Sequence, residues 1–316
     1  MTPLTISSAK IDTYLLDMVA LDQGLYAKHN LGVDKFTYPQ SGVQGMQLLA
    51  AGAAQAMCQD MMLTLATFVN SEKGKRPVVV GSRVPVPTYS IVVGKGSWPA
   101  TTASFNERMA SLKGKKIGVT AVGAGADAQL RLALQAAGMG YDDVTHLAIG
   151  NQISAASAQL KAGRIDAYVG ITYTFSRMIA SLGGGSVLID FAEPGTPDVL
   201  NKQQVEVDVV REDFAQSHQD VVQAWHAVNT EANQWVVANK DKAAALLNTE
   251  GLGGQAADLA TKFIDDYVAN VLPKVQPDFK ATKDGIELMI SIAVKLGTVK
   301  EGQVTYQDLV PEYARA

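Results

Sequence analysis

The feature that most constrains this chain is an internal repeat at an offset of 111 residues. Ile6 falls on Ile117, Val33 on Val144 and Phe36 on Leu147. Further on, Leu49-Ala50-Ala51-Gly52-Ala53-Ala54-Gln55-Ala56 falls on Leu160-Lys161-Ala162-Gly163-Arg164-Ile165-Asp166-Ala167. Two copies of one supersecondary unit explain such a register. Each copy reads as strand, helix, strand, helix, strand: residues 4–7, 14–29, 35–38, 43–51 and 54–58 in the first, 116–120, 127–137, 145–149, 153–162 and 165–169 in the second. Gly52 and Gly163 stand where a helix C-terminus wants a residue tolerant of positive φ. Alternating strands and helices imply parallel sheets with right-handed crossovers, an α/β class.

Between the copies, Tyr89-Ser90-Ile91-Val92-Val93-Gly94 is a β-rich run and the first candidate for a segment crossing between lobes. Ser186-Val187-Leu188-Ile189-Asp190 is the second, followed by a strand at 205–211 and a mainly helical tail from residue 214. These crossings divide the chain into a first lobe of residues 1–92 and 192–316 and a second of residues 93–191. A length of 316 residues suffices for two cores. In the tail, Val221, Val222, Trp225, Val228, Ala232, Trp235 and Val236 recur at helical spacing and read as a buried stripe, with further helices at 243–247, 256–267 and 286–296.

Composition removes several function classes. With 27 basic against 31 acidic side chains and a net charge of -4, the chain lacks the basic stripe that phosphate neutralisation needs, which argues against a nucleic-acid partner. The most apolar stretch, residues 46–69, is broken by Gln55, Gln59, Asp60 and a glycine, so it does not read as a membrane span. One cysteine, Cys58, excludes an intrachain disulfide and reads as a small buried hydrophobe. No secretory signal pattern precedes the first strand, which fits a cytoplasmic chain or a trimmed mature one.

The order and spacing of several segments resemble the periplasmic substrate-binding proteins of ABC importers, in the branch with receptors for nitrate, alkanesulfonates, taurine and thiamine pyrimidine precursors. The segments are Ala20-Leu21-Asp22-Gln23-Gly24-Leu25-Tyr26-Ala27-Lys28-His29-Asn30-Leu31-Gly32-Val33, the two repeat blocks above, Leu112-Lys113-Gly114-Lys115-Lys116-Ile117-Gly118-Val119, and Val209-Val210-Arg211-Glu212-Asp213-Phe214. The resemblance covers nearly the whole chain. It implies a two-lobed periplasmic-binding-protein-like fold of type II, with two crossing segments and C-terminal helices returning to the first lobe. It further implies an exported or periplasmic monomer that delivers a small-molecule ligand to a membrane permease, with no cofactor. The family often has an acidic residue and a proline after the fifth strand of the second lobe. Here Ile171-Thr172-Tyr173-Thr174 stands there, so a relative's ligand does not transfer.

Ligands of open α/β sheets bind beyond the carboxyl ends of strands. In the first lobe that criterion selects the loops at 8–13, 40–43 and 59–61; in the second, 121–127, 150–153 and 172–173. Gly42 and the run Gly123-Ala124-Gly125-Ala126 can bring backbone N–H groups to an acidic ligand, or can be ordinary tight turns. Asp12, Asp60 and Asp127 each stand at a helix start; capping is the weightier reading, and acceptance of hydrogen bonds from a ligand the other. Lys10 is a candidate charge partner, though a lone loop lysine is more often solvated; Ser41 can cap its helix or touch the ligand, and Gln59 is a candidate polar contact. Thr88, Tyr89, Thr172 and Tyr173 supply hydroxyls that would flank an organic ligand.

An enzyme is the alternative. A nucleophile needs a base beside it, and none of His29, His146, His218 and His226 joins Cys58 in one predicted loop. The expected function is a receptor that closes by hinge motion over a sulfonate or carboxylate, with a pyrimidine-like compound as competitor.

Overall fold

Ile6 pairs with Ala56 in one sheet, and Ile117 pairs with Ala167 in another, so the offset of the sequence repeat recurs in the hydrogen-bond register of two separate sheets. The computed structural model describes every residue except Asp34, Lys35, Gln40 and Ala124. The chain forms two units, Met1–Val86 with Gln204–Ala316, and Pro87–Gln203.

The first unit begins with β1 (Thr2–Pro3) and β2 (Ile6–Ser7), a short turn at Asp12–Tyr14, α1 (Leu15–Asp22), α2 (Leu25–Lys28) and β3 (Leu31–Gly32). The single helix expected over 14–29 is interrupted because Gly24 adopts φ 64 between α1 and α2, a conformation that a helix interior does not accept. Then follow α3 (Gly42–Ala50), β4 (Ala56–Asp60), α4 (Met61–Asn70) and β5 (Pro77–Val84). Of the strand expected over 35–38, Lys35 lies outside the described residues, and Thr37 forms a single parallel bridge to Ser7.

The second unit runs β6 (Ser90–Val93), α5 (Phe105–Ala110), β7 (Lys116–Val119), α6 (Gly125–Ala136), β8 (Thr145–Ala148), α7 (Ile153–Lys161), β9 (Ala167–Gly170), α8 (Tyr173–Gly183), β10 (Ser186–Asp190) and α9 (Asp198–Asn201). Its sheet has the order β10-β6-β9-β7-β8, with β7 parallel to β8 and β9, and β6 antiparallel to β9 and β10. Both segments expected to cross between lobes are therefore neighbours within one sheet. Their backbone groups are satisfied there, so the division of the chain falls at 86/87 and 203/204 rather than at 92/93 and 191/192. Val92, Leu160, Ile165, Tyr168, Phe175 and Ile179 form its core beneath α7 and α8.

The chain returns to the first unit with β11 (Glu206–Arg211), which slots between β4 and β5 and is antiparallel to both, giving the order β2-β4-β11-β5. The tail follows as α10 (Glu212–Ser217), α11 (Gln219–Ala238), α12 (Lys240–Gly251), α13 (Ala257–Asp266), α14 (Lys283–Lys295) and α15 (Tyr306–Leu309). The α11 stripe is buried at Val221, Val222, Trp225, Val228, Ala232 and Val236, while Trp235 stays partly exposed. Among the described residues no helix is long and apolar enough to cross a membrane.

The two repeat glycines do the same work. Gly52 at φ 73 and Gly163 at φ 64 follow α3 and α7, and each helix end is closed by a pair of backbone bonds: Gly52 N to Leu49 O with Ala53 N to Leu48 O, and Gly163 N to Leu160 O with Arg164 N to Gln159 O. A Cβ at Gly163 would meet no neighbour, so its conformation alone requires glycine. Gly163→Ala should therefore lower unfolding free energy by roughly 1–2 kcal/mol in urea titration, and Gly163→Asn by less.

Candidate functional site

In the first unit the carboxyl ends of β2 and β4 meet the starts of the turn at Asp12 and of α3 and α4. Ser41 caps α3, its Oγ accepting from Gln44 N at 3.2 Å, and Asp60 caps α4, its Oδ1 accepting from Leu63 N at 3.0 Å. Gln59 ties these helix starts together: its Nε2 donates to Gly42 O at 3.1 Å and its Oε1 accepts from Asp60 N at 2.8 Å. A Cβ at position 42 would sit 2.9 Å from Gln59 Oε1, so any larger residue there would displace the Gln59 amide from these bonds. Asp12 is buried, with Oδ1 accepting from Thr13 N. Lys10 is exposed and paired with Glu250 at 3.1 Å, over the Tyr38 ring. Gln40, at the start of the predicted 40–43 loop, lies outside the described residues.

Tertiary structure adds residues that the loop criterion missed. Glu206 pairs with Asp60 and Asp208 with Cys58 across the antiparallel β11–β4 ladder, and residues opposite one another share a face. Glu206 is partly buried. Desolvation, then the charges of Asp60 and Asp12, push its carboxyl up to about 8, against a weaker opposing hydrogen bond from Cys58 Sγ at 3.7 Å. Below that pH Glu206 is a carboxylic acid beside the side-chain oxygens of Asp60, so the strand end offers both a donor and acceptors.

Behind this rim lies Arg83 of β5, fully buried between two buried carboxylates: Nη1 to Asp17 Oδ1 at 2.5 Å and Nε to Asp208 Oδ1 at 2.7 Å. Burial works against its charge, but the two aspartates hold its pKa well above the ordinary value. Asp17 Oδ2 in turn accepts from Ser8 Oγ at 2.9 Å, which fixes the loop after β2. The Arg83 network thus reaches the same edge as Asp12 and Asp60. A charge interrupting the valine runs of β5 and β11 is the signal that would have found Arg83 and Asp208, since a buried charge must be paired.

In the second unit, Asp127 is committed to structure. Its Oδ2 accepts from Gly123 N at 2.8 Å and from Tyr141 Oη at 2.9 Å, while Oδ1 lies 2.6 Å from His146 Nδ1. Gly123 adopts φ 82, and Gly125 and Ala126 open α6; Ala124 lies outside the described residues. The Gly123 N–H, expected to face an acidic ligand group, is spent on Asp127. Thr172 caps α8 through Phe175 N at 3.4 Å, and the Arg177 guanidinium lies 3.5 Å from the centre of the Tyr173 ring. Thr88 and Tyr89 are buried at the start of β6, with Thr88 Oγ1 unpartnered.

The chemistry of catalysis is not assembled around the thiol. Cys58 is fully buried, and burial followed by the Glu206 charge pushes its pKa well up, which disfavours the thiolate nucleophile. Among the described residues no three His, Cys, Asp or Glu side chains are placed to hold a metal.

The shifts fix a pH signature. Asp208 is raised by desolvation to about 6 and has largely titrated in native and unfolded chains by about pH 6.5, while His226, lowered by desolvation to about 4, is neutral in the native chain there but still half protonated in the unfolded one, which adds only roughly 0.4 kcal/mol in the opposite sense at higher pH. From there to about 8 native Glu206 retains a proton that the unfolded chain has lost, so stability falls as pH rises. Denaturation at pH 6.5 and 8 should show wild type losing roughly 1–2 kcal/mol across this window and Glu206→Gln losing little of it.

The NMT1/THI5-like family profile matches residues 14–243. No curated protein matches the sequence. Solved structures match along nearly the whole chain: the periplasmic aliphatic sulphonate binding protein SsuA from Escherichia coli, at 18% identity and TM-score 0.71, covers 98% of this chain and 95% of its own. The periplasmic nitrate-binding protein NrtA from Synechocystis PCC 6803 is 15% identical with TM-score 0.73, covering 98% and 87%. The desulfurization enzyme DszB is 16% identical with TM-score 0.70, covering 99% and 98%. Such identities establish the fold and leave the chemistry to the residues present. The chain has the periplasmic binding protein fold and belongs to the NMT1/THI5-like family.

Proposed function

We propose that the chain is a solute receptor of an ABC-type import system, exported or periplasmic, which captures a small organic ligand and presents it to a membrane permease. The fold supports a solute-binding role, since SsuA and NrtA share it over 95% and 87% of their own chains. The observation that carries the ligand class is the Asp60–Glu206 cross-strand pair at the carboxyl end of β4. One member is held protonated up to about 8, so the pair combines donor and acceptors in a desolvated rim.

That chemistry suits a ligand presenting N–H donors beside a ring nitrogen or a cationic amine, as in a pyrimidine-like heterocycle. It weighs against the sulfonate or carboxylate expected from the resemblance, because an anion there would meet Asp60, and because the Gly123 N–H already serves Asp127. Closure of the two units over the ligand, with Tyr89, Thr172 and Tyr173 contributing contacts, belongs to the same proposal. Catalysis on this fold, as the name of DszB records, is the competing reading, and the buried Cys58 thiol disfavours it.

A thermal-shift and calorimetric panel of aminopyrimidines, alkylamines, sulfonates and carboxylates tests the reading. Saturable one-to-one binding of a nitrogenous ligand, recovered unchanged by mass spectrometry, is expected, with at least a tenfold loss of affinity in Glu206→Gln. X-ray scattering should report a smaller radius of gyration with that ligand bound. Binding confined to sulfonates would sink the ligand class but keep the receptor, and turnover would sink the receptor.

A further inference from the structure

The first unit carries an unusual concentration of buried polar atoms with no protein partner. Arg83 Nη2, Asp208 Oδ2, Tyr26 Oη, Trp225 Nε1, His226 Nε2 and both amide atoms of Asn229 are all in this condition. Their residues are almost wholly inaccessible: Arg83, Asp208 and Asn229 at 0%, Trp225 at 1% and Tyr26 at 2%. In folded proteins such atoms are nearly always satisfied, so a group of them in one place requires a common partner.

They do lie in one place. The Arg83 guanidinium stacks over the Trp225 indole at 5.1 Å and binds Asp208 through Nε, which leaves Nη2 and Oδ2 as neighbouring unpaired ends of the same ion pair. Tyr26 of α2 is buried within reach of the charges of Asp17, Arg83 and Asp208, and its hydroxyl lies near the indole N–H of Trp225 without the geometry of a direct hydrogen bond. Asn229 follows Trp225 by one helical turn on α11 and so shares its face, with His226 beside them.

We infer that this cluster is an internal hydration site, in which ordered water molecules bridge the Arg83–Asp208 pair to Trp225, Tyr26 and Asn229. The chemistry selects water over other small ligands. A cation would face the Arg83 guanidinium, and an anion the Asp17 and Asp208 carboxylates. The free valences mix donors (Nη2, Nε1, Nδ2) with acceptors (Oδ2, Oδ1), a pattern that only a molecule able to donate and accept in several directions can satisfy. A cavity of about 280 Å³, which His226 lines together with Asp278 and Tyr313, abuts the cluster. Water satisfies the Nη2 group that the two aspartates leave open, and Arg83 in turn pairs with the Asp17 carboxylate that accepts from Ser8. The site therefore supports the loop after β2, whatever the receptor binds.

A high-resolution crystal structure of the unliganded wild-type protein provides the direct test. Ordered water is expected within roughly 2.6–3.2 Å of Arg83 Nη2, Asp208 Oδ2 and Trp225 Nε1. In solution, oxygen relaxation dispersion should count at least one fewer long-lived internal water in Asn229→Leu than in wild type, and the same in Trp225→Phe. A map in which these atoms pair directly with one another, with no water density between them, would overturn the inference. So would an unchanged water count in variants that still unfold cooperatively. If either variant fails to fold, the wild-type map decides alone. All outcomes are independent of whether the chain proves to be a receptor.

Discussion

Arg83 between Asp17 and Asp208 is the interaction on which the first unit depends. A fully buried guanidinium survives only if its charge is matched on the spot, and here two carboxylates arrive from different parts of the chain. Asp17 comes from α1 of the first repeat copy and Asp208 from β11, which returns after the whole second unit. The pair thus ties the start of the chain to its return, and removing one partner would strand the others in a medium that does not tolerate unpaired charge.

The network also sets the character of the strand edge where the candidate site lies. Ser8 is held through Asp17, and Cys58 shares a face with Asp208, so the same polar seam runs from the core to Asp60 and Glu206 at the strand ends. Glu206, held as a carboxylic acid up to about 8, places a hydrogen-bond donor beside the oxygens of Asp60. In the second unit the corresponding edge is organised differently. Asp127 gathers Gly123, Tyr141 and His146 around the start of α6, and the stacked Tyr141 and His146 rings, 3.7 Å apart, close that arrangement.

Some of the site was legible before any coordinates. The spacing places Asp60 and Ser41 at helix starts, and they cap α4 and α3, because capping depends on local geometry that sequence spacing encodes; Thr172, expected only as a ligand-flanking hydroxyl, caps α8. Lys10 was read as a possible charge partner; its partner, Glu250, lies 240 residues away, and no local pattern announces it. Glu206 was invisible as a site residue for the same reason. Its place beside Asp60 comes from the register of a strand separated from β4 by an entire unit.

What the sequence determined by itself is the repeat: its alternation of strand and helix, its helix-ending glycines at 52 and 163, and the α/β class that follows, all governed by backbone preferences within a few residues. Tertiary structure alone decided where the chain divides, since β6 and β10 satisfy their hydrogen bonds on each other and so belong to one sheet. It alone decided which charges are buried together. Pairing across more than a hundred residues is fixed by the whole fold's need to neutralise Arg83, and no local stretch of sequence contains that requirement.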